Sequence, residues 1–413
     1  MVKHLCSVRQ DEKPISRQVA KVRIPHAIWM LGLVSLFMDV SSEMVHSLLP
    51  VFLVTEIGAG TFAVGLIESV AEATASITKI FSGALSDWIG RRKPLAVLGY
   101  GLAALTKPLF PLAATAAWVL VARFVDRVGK GIRVAPRDAL IADSTPAEVR
   151  GAAFGLRQSL DSAGAFLGPL TAIALMGLLA DNMRLVFWIS VIPAFLAVAT
   201  LVFGVREPAK PLVQSERHLP RWRDIRLLGR AFWTVAAVGV VFTLARFSEA
   251  FLILRAREAG FSLTWIPLVL VVMNLAYFAS AYPAGWFSDR VGRLRLLICG
   301  LLVLILADLV LALGQQVAVV VLGIVLWGLH LGLTQGLLSA LVADTAPQDL
   351  RGSAFGVFHF LGGLAALLAS LSAGVLWQWG GPSLTFFTGA GLSTAALLGV
   401  FWSRGKFASS SAP

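Results

Sequence analysis

Two stretches of the chain nearly repeat each other: GALSDWIGRRK at residues 83–93 and GWFSDRVGRLR at residues 285–295. A second pair, ADSTPAEVRGAAFG at 142–155 and ADTAPQDLRGSAFG at 343–356, stands at almost the same offset, 201 residues against 202. Two echoes at one offset imply a duplicated chain, with two parallel repeats related by an axis along a membrane normal and a path between them.

The surroundings of these stretches say what is duplicated. The 413 residues are 57% hydrophobic and 14% charged, too little polar surface for a soluble protein of this size. Twelve apolar segments, at 27–54, 62–82, 94–114, 117–141, 152–178, 185–204, 231–256, 262–284, 296–314, 317–342, 352–378 and 382–402, are long enough to cross about 30 Å of hydrocarbon. The expected fold is an all-α integral membrane protein of twelve transmembrane helices in two six-helix bundles. Its parts are a tail (1–26), a first bundle (27–205), a linker (206–230), a second bundle (231–403) and a tail (404–413).

The formal net charge of +12 would suggest nucleic acid in a soluble protein. Here the basic residues cluster between apolar segments, as in Arg91-Arg92-Lys93 and in Arg217, Arg221, Arg223 and Arg226 of the linker, so the partner they imply is the bilayer surface. The opposite loops carry only Arg184, Arg255 and Arg257. That asymmetry places both termini in the cytoplasm, with the chain multi-pass in the cell inner membrane. The basic first 25 residues lack the short apolar core of a cleavable signal. Cys6 and Cys299 lie in unlike settings and give no disulfide framework.

The loop pattern Gly83, Asp87, Gly90, Arg91, Arg92, repeated as Gly285, Asp289, Gly292, Arg293, resembles the signature of the major facilitator superfamily. Trp88 departs from it where a basic residue is usual, while Arg290 keeps it. The resemblance covers essentially the whole chain. It implies alternating access, a monomer, and a role for these loop residues as a latch on the outward-facing state. Proton-coupled exporters of the family carry two further patterns, each half-matched here. Arg123 and Gly129 fit one, and Gly164, Gly168 and Pro169 fit the other, where Gly-Pro bends a helix and small residues admit a close neighbour.

Ionisable residues inside the apolar segments cost about 2.5–3.5 kcal/mol each at bilayer centre on insertion scales, so they face a cavity or a partner. Asp39, Glu43 and His46 share one helical face, and Glu68 and Glu72 share another. The fourth segment holds Arg123, Asp126, Arg127, Lys130, Arg133 and Arg137; the fifth holds Arg157 and Asp161. The second half has Arg246, Glu249, Asp308, His330 and His359. The resemblance puts the first and fourth helices on the central path. Asp39 or Glu43 is then the expected proton carrier, with Arg123 and Asp126 in the same coupling group. His46, Glu72, Arg127, Arg157, Asp161, Arg246, Glu249, Tyr277, His330 and His359 are the expected substrate-binding residues.

No phosphate-cradling glycine loop is present, so an ion gradient is the expected energy source. The expected function is secondary transport, with a small molecule exported against protons and with neither cofactor nor resident metal. Export of an organic anion, or of a divalent metal or its chelate, is the alternative. A receptor would need longer tails, and an intramembrane enzyme would not need duplicated halves.

Overall fold

The computed structural model describes residues 25–89, 91–145, 150–206, 228–291, 293–334, 338, 341–342, 345 and 351–408. Its helices, in chain order, are α1 (His26–His46), α2 (Leu49–Thr55), α3 (Thr61–Ile89), α4 (Lys93–Thr106), α5 (Ala116–Asp143), α6 (Arg150–Leu178), α7 (Met183–Gly204), α8 (Arg230–Ala245), α9 (Ala250–Glu258), α10 (Leu268–Val291), α11 (Arg293–Leu313), α12 (Val317–Thr334) and α13 (Arg351–Ala408). Among the described residues there is no β-strand. The tail at 1–24 and the linker at 207–227 lie outside them.

Among the described residues eight stretches are long and apolar enough to cross a membrane, the last of them Val357–Trp402 at 46 residues. The helices α3 and α5 are long enough but too polar by composition, because they carry the ionisable residues that the fold turns inward. The helix α13 joins two arms at Gly381, whose φ of 69° suits only a residue without Cβ.

The backbone itself repeats. The first helix breaks after His46 because Pro50, at the start of α2, has no N–H to give the His46 carbonyl. The corresponding helix of the second half breaks at 246–249, between α8 and α9, where the Ser248 hydroxyl accepts the Ala250 N–H. Positive φ at Gly58 recurs 202 residues on at Gly260, and that at Ala180 recurs 201 residues on at Gly381.

Within the first half, α1 packs on α6 and α7, and α5 packs on α3 and α4; within the second, α12 packs on α10 and α11, and α13 on α8 and α11. The halves meet where α3 lies along α13 and α6 along α10. At the end carrying the short loops this joint is tight. A Cβ on Gly65 would lie 2.6 Å from the Ser370 carbonyl oxygen and 3.0 Å from the Gly374 Cα. The Thr264 hydroxyl donates to Asp181 at 2.6 Å, also across the halves. A buried apolar cluster continues the seal, with Leu48, Phe52, Phe251, Phe261, Ile266 and Trp377.

Candidate functional site

Between the halves lies a cavity of about 390 Å³, walled by α1, α3, α5, the α8–α9 break, α10, α12 and α13. Its charged lining is balanced: Glu43, Glu68, Glu72 and Glu249 against Arg123, Arg127, Lys130 and Arg246, with His46 among them. Glu68 and Arg123 are buried, whereas Glu72 and Lys130, one or two turns nearer the termini, are exposed. The cavity therefore opens toward the end that carries the termini and is closed at the short-loop end.

Glu68 is its hub. Arg123 Nη2 donates to both Glu68 oxygens at 3.3 Å. His46 Nε2 stands 3.8 Å from Glu68, and His46 Nδ1 3.5 Å from Glu43. The Ser248 hydroxyl, at the break of the second half, approaches Glu68 at 3.5 Å, and the Ser248 N–H donates to Ser370 on α13 at 3.1 Å. One carboxylate thus touches both halves. At an effective dielectric constant of 20, opposite unit charges 3.3 Å apart attract by about 5 kcal/mol. Desolvating the two ions costs several kcal/mol each. The terms nearly cancel, so the intact pair adds little net stability, although loss of either partner leaves the other a costly buried charge.

Close helix contact sets the position of the α1 acids. A Cβ on Gly168 would lie 2.6 Å from the Glu43 Cβ, and one on Gly164 would lie 2.8 Å from the Asp39 Cβ. The two glycines and Pro169 lie inside α6, and the glycines let α1 pack directly on its backbone.

The structure redistributes several expected residues. Arg123 faces Glu68, not Asp39 or Glu43, because Glu68 on α3 lies directly across from it. Asp39 does not line the cavity; its helical face packs on α6. Asp126 turns away to Lys107, whose Nζ donates to it and to Ser42 at 3.1 Å each, and it also pairs with Arg127 at 3.1 Å. Arg157 and Asp161 are engaged with one another. Arg137 donates to Asp138 at 3.1 Å and stands 3.9 Å from Asp161, so these four form a cluster beside the cavity wall. His330 is buried, with Nδ1 2.9 Å from the Gly300 carbonyl oxygen on α11, and His359 is exposed on α13 outside the cavity lining. Glu43, His46, Glu72, Arg127, Arg246, Glu249 and Tyr277 do line it. Gly90 and Gly292 lie outside the described residues, and of Gly83, Asp87, Gly285, Asp289 and Arg293 only the helical backbone is described. Of that loop signature, Arg92 is seen pairing with Asp143 at 2.7 Å, which ties the two repeated motifs of the first half together.

Sequence reasoning passed over Lys107, although a lysine at membrane depth calls for a carboxylate. Asp126→Asn should leave that ammonium buried with only neutral acceptors, and it removes the Arg127 partner as well. The expected loss is about 3–5 kcal/mol, read as a lower thermal midpoint in detergent, and Asp126→Leu with Lys107→Met should recover most of it.

The Major Facilitator Superfamily model matches residues 31–269 and 248–412. The chain is 32% identical over 372 residues to an uncharacterized MFS-type transporter of Methanocaldococcus jannaschii, covering 89% of this chain and 92% of that protein. The chain belongs to the major facilitator superfamily. Among more distant members is the multidrug resistance protein MdtL of Escherichia coli, 26% identical over 317 residues, 75% of this chain and 77% of MdtL. The crystal structure of the nucleoside transporter NupG superposes with a TM-score of 0.77 at 12% identity, over 91% of this chain and 99% of that one. It shares the fold. A transporter of this family binds a small-molecule substrate, and the charged cavity between the halves is the candidate place for it. Among the described residues no three His, Cys, Asp or Glu side chains are placed to hold a metal ion.

Proposed function

We propose that this protein is a proton-coupled antiporter that exports a small polar or amphipathic molecule across the cell inner membrane by alternating access. In this reading twelve spans form two six-helix bundles, 27–205 and 231–403, with both termini cytoplasmic and the chain working as a monomer. The conformation described is then open to the cytoplasm.

The observation that carries the proposal is the Glu43–His46–Glu68–Arg123 chain in the cavity wall. Its carboxylates can be satisfied by the protein's own cations, by a proton, or by a positive group of the cargo, but not by all at once. Mutually exclusive occupancy of one set of carboxylates is what exchange requires. Tyr277, Phe247 and Trp327 give the cargo an apolar wall beside the charges. The seat that Gly164 and Gly168 make for α1, and the multidrug resistance relative, support export.

Organic-anion efflux is the second reading. It is favoured by Arg246, which lines the cavity, stacks over Phe242 at 5.7 Å and makes no ion pair within 4 Å among the described residues.

The test is transport into proteoliposomes containing a pH dye, with cationic drugs, zwitterions, organic anions and metal chelates as cargo. An active compound should move protons in the wild type. Glu43→Gln should lower that flux at least tenfold while cargo binding persists, and Asp39→Asn should retain it. Cargo movement without proton flux, or full flux in Glu43→Gln, would sink the coupling proposal.

A further inference from the structure

Asp308 sits in the last third of α11 and is wholly buried, and among the described residues neither carboxyl oxygen has a hydrogen-bond partner. Its Oδ2 would lie 2.8 Å from a Cβ placed on Gly389 of α13, so it is pressed against bare backbone. The Phe247 ring closes the same spot, 3.2 Å from that Cβ position. Phe247 lines the transport cavity and packs on Trp327 and Phe386 at centroid distances of 5.7 and 5.4 Å. One aromatic layer therefore separates Asp308 from the cavity.

Among the described residues no charged or titratable group of the neighbouring elements pairs with Asp308. Arg246 and Glu249 face the cavity from the α8–α9 break. Arg255 of α9 donates to the Leu311 and Gly314 carbonyls at the short-loop end of α11. His330 of α12 is tied to Gly300, and His359 of α13 is exposed. On α10 the described polar groups at the cavity are Asn274 and Tyr277. An ionised carboxylate here would have no counter-charge among the described residues, at a cost of several kcal/mol. A protonated one costs far less.

We propose that Asp308 is a second proton-binding site, in the second half of the protein and separate from the cavity carboxylates, and that it carries its proton as a neutral acid in this conformation. The proton leaves the carboxyl for cavity water when Phe247 swings aside. The non-helical backbone at 246–249 gives that residue the freedom to move.

The test needs no cargo, so it stands apart from the antiport proposal. Infrared difference spectra of the purified protein in nanodiscs at neutral pH report the C=O stretch of protonated carboxyls. A band present in the wild type, absent in Asp308→Asn and kept in Glu72→Gln supports the proposal. A spectrum unchanged by Asp308→Asn overturns it, and so does a band abolished when sodium replaces choline in the buffer, which would make the site one for a metal cation. Should Asp308→Asn fail to fold, Asp308→Glu decides: a displaced band supports the proposal and an unmoved one refutes it.

Discussion

Glu68→Gln should yield a folded protein that no longer transports. Glutamine keeps the shape and can still accept from Arg123, but the charge that both halves share is gone. Arg123 and His46 lose their common anion, and the Ser248 contact loses its strongest acceptor. A charge-assisted contact of this kind is worth about 1.5–3 kcal/mol, and about 3 kcal/mol is roughly a hundredfold in the populations of two conformations. Substrate-driven proton flux should fall by about that factor. Arg123→Ala should be inactive as well, because it leaves Glu68 a buried anion with only His46 and Ser248 beside it. Expression and thermal stability should drop, by about 3–5 kcal/mol. The double variant Glu68→Gln, Arg123→Gln should then be more stable than Arg123→Ala and equally inactive. If Glu68→Gln transports at the wild-type rate, the hub is only a structural tie.

How much of this was legible in the sequence depends on what kind of information each feature needs. The duplicated motifs and the apolar segments are local patterns, and they were enough to place the family and the helical architecture. The ionisable residues could be recognised as inward-facing because lipid does not tolerate them. Their partners could not be read the same way, because pairing across helices depends on rotation about each helix axis. Spacing put Asp39, Glu43 and His46 on one face but could not say which edge of it met α6. Gly164 and Gly168 held that answer, since two glycines four residues apart mark a backbone that a neighbour touches. The small residues imply a close neighbour, but spacing alone does not say which helix it is. Lys107 was overlooked because it lies at the 3₁₀ turn Lys107–Leu109, in a segment otherwise read as apolar. Asp308 was noticed only as one acid among several; its isolation is a property of the fold.

Gly65→Leu should shift the protein toward the opposite conformation. In the present state α3 and α13 touch backbone to backbone near the short loops, and a Cβ at residue 65 would come within 2.6 Å of the Ser370 carbonyl oxygen. No side chain fits there unless the helices separate, and that separation is what opening the short-loop end involves. Overpacking costs about 1–3 kcal/mol. Charged against one conformation only, that amounts to roughly a 5- to 150-fold change in the equilibrium. The control is Gly101→Leu on α4, where an added Cβ meets nothing within 4 Å. Spin labels on cysteines introduced at Ala114 and Gln315, both exposed and on opposite halves, read the opening once Cys6 and Cys299 are replaced by serine. The interlabel distance distribution should gain a longer component in Gly65→Leu and keep the wild-type profile in Gly101→Leu. Identical distributions in the two variants would mean that the α3–α13 contact does not gate access. The rocking would then have to turn on the other joint between the halves, where α6 meets α10.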